Sequence, residues 1–157
     1  MTKRLDCYDI LNFWFAQHSY QDWYSGSAIF DQKIKDRFSD VHTQAIKGEL
    51  YPWRETLEGR LAEIIILDQF SRQLFRESAQ AFAYDGMALA LAQETVRVGD
   101  DIKLTEKQRH FVYLPYMHSE SLVIHDEAVQ LYTGLDNKDG LDFEHKHRVI
   151  IERFGRY

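Results

Sequence analysis

The feature that most restricts the fold is a helical rhythm that almost nothing interrupts. Only two prolines, Pro52 and Pro115, occur in 157 residues, and proline is the residue that most forcibly ends a helix. Apolar residues recur at steps of three and four. No run alternates strictly, and β-branched residues do not gather between turn dipeptides. Asp6 can cap a first helix reaching about Ala16, and the loop "HSYQDWYSG" leads to a second over about 28–47. That helix carries Phe30, Ile34, Val41 and Ala45 on one stripe and Gly48 as its stop. After "ELYPWRE", Thr56 starts a third helix to about Phe75. A fourth, alanine-rich, is capped by Ser78 or by Asp85 and ends at Gly99. Thr105 caps "EKQRHFVYL", which Pro115 then breaks or kinks. A sixth helix is predicted from about Tyr116 to Tyr132, stopping at Gly134; "DNKDGLD" is a loop, and Asp142 caps "FEHKHRVIIERF".

The pattern predicts an all-α protein of about seven helices, joined by short loops into stacked antiparallel helical hairpins. No linker divides the chain and no fixed-period repeat is present, so 1–157 reads as a single helical domain.

Composition removes several classes of function. Hydrophobic residues make up 45% and charged residues 28%, which suits a packed globule rather than a disordered chain. A net charge of −6 with no basic run gives no footprint for nucleic acid or an anionic membrane. The longest aliphatic run, "IIIL" at 64–67, is far too short to span a bilayer. The start "MTKRLDCYDILNFWF" is broken by Asp6, Asp9 and Asn12 and lacks a cleavage signature. Cys7 is the only cysteine, so it forms no intrachain disulfide and reads as a small packed hydrophobe. The predicted location is the cytoplasm.

The chemistry worth following is the polar residues on faces that should be dry. At about 100° per residue, Asp68 falls in the same sector as Leu57, Leu61 and Ile64, with Ser71 and Arg72 flanking it. Asp68 and Arg72 are spaced to pair along the helix. On the sixth helix Leu122, Ala128, Val129 and Tyr132 set the apolar face, and His118, Ser121 and His125 lie within it, with Glu120 and Glu127 at its edge. On the last helix Phe143, Ile150 and Phe154 form the stripe, and His147 sits beside them. Each of these has a bland reading as a satisfied core group or an interhelical brace. Their number in one core favours a polar site.

Other constellations are weaker. Glu144 and His147 in "EHKH" give half of a carboxylate di-iron spacing and the second half is missing, so no metal is expected. A serine nucleophile, Ser119 or Ser121 with His118 or His125 and Asp68, lacks a strand-to-helix elbow. No Gly-rich phosphate loop occurs, and no cofactor is expected.

Three segments, "ILDQFSRQLFR" (66–76), "YLPYMHSE" (113–120) and "IIERFGRY" (150–157), together with "FWF" near the start, resemble the bacterial family known as domain of unknown function 924. The resemblance spans nearly the whole chain and implies a fold similar to tetratricopeptide-like α-α superhelices. It marks Asp68, Gln69, Phe70, Ser71, Arg72 and Arg76, then Pro115, His118, Ser119 and Glu120, then Phe154, Gly155 and Arg156. It also implies a C-terminal segment beyond Tyr157 in family members.

Two functional readings follow. The first is a binding module whose groove takes a small anionic molecule or peptide. Arg72, Arg76, Arg153 and Arg156 would meet the anion, with Gln69, Ser71, Ser119 and His147 beside them and Trp14, Trp23 and Tyr113 as aromatic walls. The second is an enzyme with His118 as general acid or base, Asp68 orienting it, Arg72 stabilising negative charge and Glu120 as a further candidate.

Overall fold

Asp6, Thr56 and Thr105 open the helices that the sequence assigns them to cap. A computed structural model describes residues 4–135 and 137–157. Met1, Thr2 and Lys3 of the N-terminal segment and Asp136, the first residue of the predicted "DNKDGLD" loop, lie outside the described residues. No strand occurs among the described residues. The chain divides into two compact units, the first ending at Tyr84 and the second spanning Asp85–Tyr157.

In the first unit, Asp6 accepts from the Asp9 amide while Asp9 accepts from that of Asp6, a reciprocal cap that starts α1 (Cys7–Leu11). The helix continues through a π turn, Asn12–Gln17. Ser19 caps the short α2 (Tyr20–Trp23), and Ser27 caps α3 (Ala28–Ile46). The predicted α3 stripe is buried: Phe30, Ile34, Val41 and Ala45 all face inward with Phe38. Gly48 follows at φ +76°, a backbone that only glycine adopts without strain. Thr56 Oγ1 accepts from the Gly59 amide at 3.0 Å and starts α4 (Leu57–Ile65). That helix runs through a second π turn, Ile66–Phe70, into α5 (Ser71–Leu74).

Every residue from Leu61 to Ser71 is buried, so this helix is enclosed on all sides rather than along one stripe. It packs on α1 and α3. Phe13, Phe38 and Phe70 meet there, with ring centroids 4.8 and 5.0 Å apart along the series. Trp14 stacks on Trp23 at 5.6 Å, and the Trp23 indole N–H donates to the Trp14 carbonyl. Gly59 allows the close approach of the Tyr51–Glu55 3₁₀ turn: a Cβ there would meet the Trp53 carbonyl oxygen at 1.8 Å.

The second unit has four longer helices, each packed on the next: α6 (Asp85–Arg97), α7 (Glu106–Met117), α8 (Leu122–Gly134) and α9 (Lys138–Phe154). Short turns oblige consecutive helices to double back. Gly99 ends the α6 segment at φ +78°, and Thr105 forms a capping box with Gln108. Phe111, Val112, Tyr113, Met117, Ala128, Tyr132 and Ile151 build the core.

Three boundaries differ from expectation. Pro115 lies inside α7, one turn from its end, where the only ladder bond it removes is the one to the Phe111 carbonyl. The predicted sixth helix therefore does not begin at Tyr116. Residues 118–121 form a turn, and Ser121 becomes the N-cap of α8, accepting from the Ile124 amide at 3.4 Å. On the last helix Asn137, not Asp142, is the cap, its Oδ1 accepting from the Gly140 amide at 2.9 Å. The phase of that helix differs as well. Gly140, Glu144 and Ile151 are buried, whereas the predicted stripe of Phe143, Ile150 and Phe154 is 41%, 39% and 64% exposed.

No helix among the described residues is long and apolar enough to cross a membrane.

Candidate functional site

The predicted polar residues fall into two groups, one in each unit. Asp68, Gln69, Ser71, Arg72 and Arg76 belong to the first; Tyr113, His118, Ser119, Glu120, His147 and Arg156 belong to the second.

In the first unit the π turn turns Asp68 into the protein, where it is almost wholly buried. Its Oδ2 accepts from Gln69 Nε2 at 2.8 Å, and Arg72 Nη1 donates to the Asp68 carbonyl at 2.5 Å and reaches Oδ1 at 3.5 Å. The Arg72 guanidinium also lies over the Phe82 ring at 5.3 Å. The expected i,i+4 pairing is thus present. Ser71 is fully buried, with its hydroxyl 2.8 Å from His42 Nε2. Burial pushes the His42 pKa down to about 4. Arg76 sits across from Asp31 in a two-pronged ion pair at 2.7 and 2.9 Å. A similar fork joins Arg54 to the fully buried Glu63 at 2.9 and 2.8 Å.

In the second unit the turn after α7 is assembled around a buried ion pair. His125 and Glu144, on facing positions of α8 and α9, are both 0% exposed, and Nδ1 lies 2.9 and 2.8 Å from the two carboxylate oxygens. The other ring nitrogen lies 2.7 Å from the Ser119 carbonyl and 3.0 Å from the Tyr157 hydroxyl, which itself donates to the Met117 carbonyl at 2.5 Å. A carbonyl only accepts. The Ser119 carbonyl therefore places a proton on Nε2, and Nδ1 shares a proton with the Glu144 carboxyl group.

The turn is pinned from above too. The Tyr157 amide donates to Glu120 Oε2 at 2.7 Å, so exposed Glu120 holds the C-terminal residue across the turn. Burial, then the Glu144 and Glu120 charges, drives the Tyr157 hydroxyl far above its ordinary pKa.

Between these anchors, His118 and His147 are half-buried with ring centroids 6.4 Å apart, and Tyr157 lies 5.6 Å from His147. His147 Nδ1 donates to the Phe143 carbonyl at 2.7 Å. Burial lowers the His147 pKa, and the nearby His118 adds to that effect. Arg156 is exposed beside Tyr157. Two imidazoles and a guanidinium around a rigid turn can together accept an anion.

Tyr113 is buried in the core of this unit. Its hydroxyl donates to Asp101 Oδ2 at 2.5 Å and accepts from Arg109 at 2.9 and 3.2 Å. Burial and the Asp101 bond push it up to about 12. Trp14 and Trp23 are likewise core residues.

Sequence reasoning missed Tyr157, Asp101 and His42, and weighed Glu144 only as half of a metal spacing with His147, not as the partner of His125. A signal for Glu144 does exist: Gly140, Glu144 and Ile151 keep helical spacing, and a glycine on that line marks a close approach. A Cβ at Gly140 would meet the Tyr132 ring at 2.9 Å.

No group of histidine, cysteine or carboxylate residues among the described residues is arranged to hold a metal ion.

Comparison with known proteins agrees with this chemistry in being silent on a reaction. The family described as "Bacterial protein of unknown function (DUF924)" matches residues 10–157. A solved structure of a protein of unknown function from Agrobacterium tumefaciens, ATU0120, is 38% identical with a TM-score of 0.91, over 96% of this chain and 85% of that one. No curated protein matches.

Proposed function

Because the chain belongs to the DUF924 family of bacterial proteins, which brings a fold and a set of motifs but no reaction, we propose from its own residues that it is a helical binding module for a small anionic ligand. The ligand is a carboxylate or phosphate ester, free or on a peptide, seated at the turn of His118, Ser119 and Glu120 with His147 and Arg156 around it. The consecutive hairpins of the second unit suit a tetratricopeptide-like stack, a fold type that presents ligands on a concave face.

One observation carries the reading. Burying two ionisable side chains is costly unless they satisfy each other, and the fully buried His125–Glu144 contact uses the second ring nitrogen to fix a turn. Such a foundation is what a site needs if its donors are to be held ready before the ligand arrives. The lowered His147 pKa adds support, since a ring that is neutral alone gains a charge when an anion joins it.

A thermal-shift and calorimetric screen of carboxylates and phosphate esters tests the proposal. The expected result is a compound that stabilises the wild type by about 2.7 kcal/mol at a hundredfold excess over Kd. His147→Gln and Arg156→Ala should abolish that gain while unfolding at the wild-type temperature without ligand. Hits that bind both variants as tightly as the wild type, or a full panel without a hit, would overturn it.

A further inference from the structure

The amphipathic stripe that α9 buries is not the one its largest side chains form. Phe143, Ile150 and Phe154 share one side of the helix and stay exposed. Val149 points to a different side of α9, where it lines a separate open groove with Val129, Asp126 and Arg148. Exposed apolar patches of this kind mark interaction sites.

Charge on this side of α9 is sorted by end. Asp139 and Asp142 flank the stripe in the first turns; Arg153 and Arg156 flank it at the end. None of the four has an ion-pair partner among the described residues, whereas Arg148 on the other side pairs with both Asp126 and Glu152. Sorted, unpaired charge around an apolar stripe is self-complementary in one orientation only. Two parallel copies would set Asp142 against Asp142 and Arg153 against Arg153.

We propose that this face docks a second copy of the chain, α9 against α9, antiparallel about a two-fold axis. With the axis passing between residues 147 and 148, Asp142 faces Arg153 of the second copy. Symmetry repeats the pair, because the same patch serves both partners. In this register Phe143 enters between Ile150 and Phe154 of the second copy, and Lys146 meets Val149 rather than its own equivalent. Lys146 already lies over the Phe143 ring at 5.5 Å, so its stem covers apolar surface at the seam. One helix of this length gives a narrow contact, so the dimer is a reversible one.

Sedimentation equilibrium on the intact chain, over a range reaching hundreds of micromolar, decides the matter. The wild type should approach the mass of two chains as concentration rises and dissociate as salt is added. Ile150→Asp should remain a monomer. Arg153→Asp should weaken association about tenfold, and adding Asp142→Arg to it should restore the wild-type constant, an outcome that no loss of folding can mimic. Far-UV circular dichroism confirms that each variant keeps its helices. A wild type that stays monomeric throughout overturns the proposal. So does a dimer indifferent to Ile150→Asp and to the charge exchange, or a monomer whose α9 face instead holds a different chain.

Discussion

His125 and Glu144 form a salt bridge at 2.8 Å with neither side chain exposed to solvent, and the imidazole uses its second nitrogen to hold the Ser119 carbonyl. Removing one partner leaves the other as an uncompensated buried group. Glu144→Ala or His125→Ala should therefore cost about 3–5 kcal/mol of unfolding free energy in a denaturant series. The double replacement His125→Leu with Glu144→Met should cost less than the sum of the two single changes, because it removes both charges together. Additive losses would show that the two residues do not act as a pair.

His42 sets the acid limb of stability in the first unit. Its folded pKa of about 4 lies below the ordinary value of 6.5 because burial penalises the charged ring. Between those values the unfolded chain binds more protons than the folded one. Stability then falls as pH drops from about 6.5 to about 4, and the contribution is fully present above 6.5. The loss by pH 4 amounts to about 3 kcal/mol. His42→Leu should flatten this part of the curve, at the cost of about 1 kcal/mol for the hydrogen bond lost by Ser71.

Ligand affinity should carry the opposite slope. The His147 pKa is depressed in the free protein, and an adjacent anion raises it. Binding therefore takes up a proton, and the affinity of an anion strengthens as pH falls toward the lowered pKa that His147 has in the free protein, below the ordinary 6.5. Titrations at several pH values in wild type and His147→Gln check this; equal slopes in the two would remove His147 from the site.

Gly59 and Gly86 make a matched pair for backbone chemistry. At Gly59 an added Cβ would overlap the Trp53 carbonyl, whereas nothing lies within 4 Å of one at Gly86. Gly59→Ala should lower stability by about 2 kcal/mol or more, and Gly86→Ala in α6 should be neutral or add up to about 1 kcal/mol. Thermal unfolding of the two variants separates these outcomes directly.

What was legible in the chain was local chemistry. Asp6, Thr56 and Thr105 cap the helices they were expected to cap, because a short polar side chain ahead of a periodic run satisfies the first free amides whatever the tertiary context. Gly48 and Gly99 stop their segments for an equally local reason. The α3 stripe was legible since its face is uniformly apolar. On α9 the same method took its phase from Phe143, Ile150 and Phe154, and the helix buries Glu144 instead. No property of Glu144 alone announces a histidine nineteen residues earlier; that pairing exists only once α8 and α9 face each other. The turn at 118–121 was hidden for a related reason, since Pro115 ends no helix until its position relative to the last turn is known.

The two π turns, Asn12–Gln17 and Ile66–Phe70, make the first unit tolerant of changes in chain length. A π turn accommodates one residue beyond what the α ladder requires. Deleting one residue there turns the wide turn into an ordinary α turn rather than opening a gap. A five-residue π turn and a four-residue α turn cover nearly the same rotation, so the helix beyond Phe70 keeps its phase and Ser71 still faces His42. In this unit the loss of one residue is absorbed inside the turn, and the contacts beyond it keep their address.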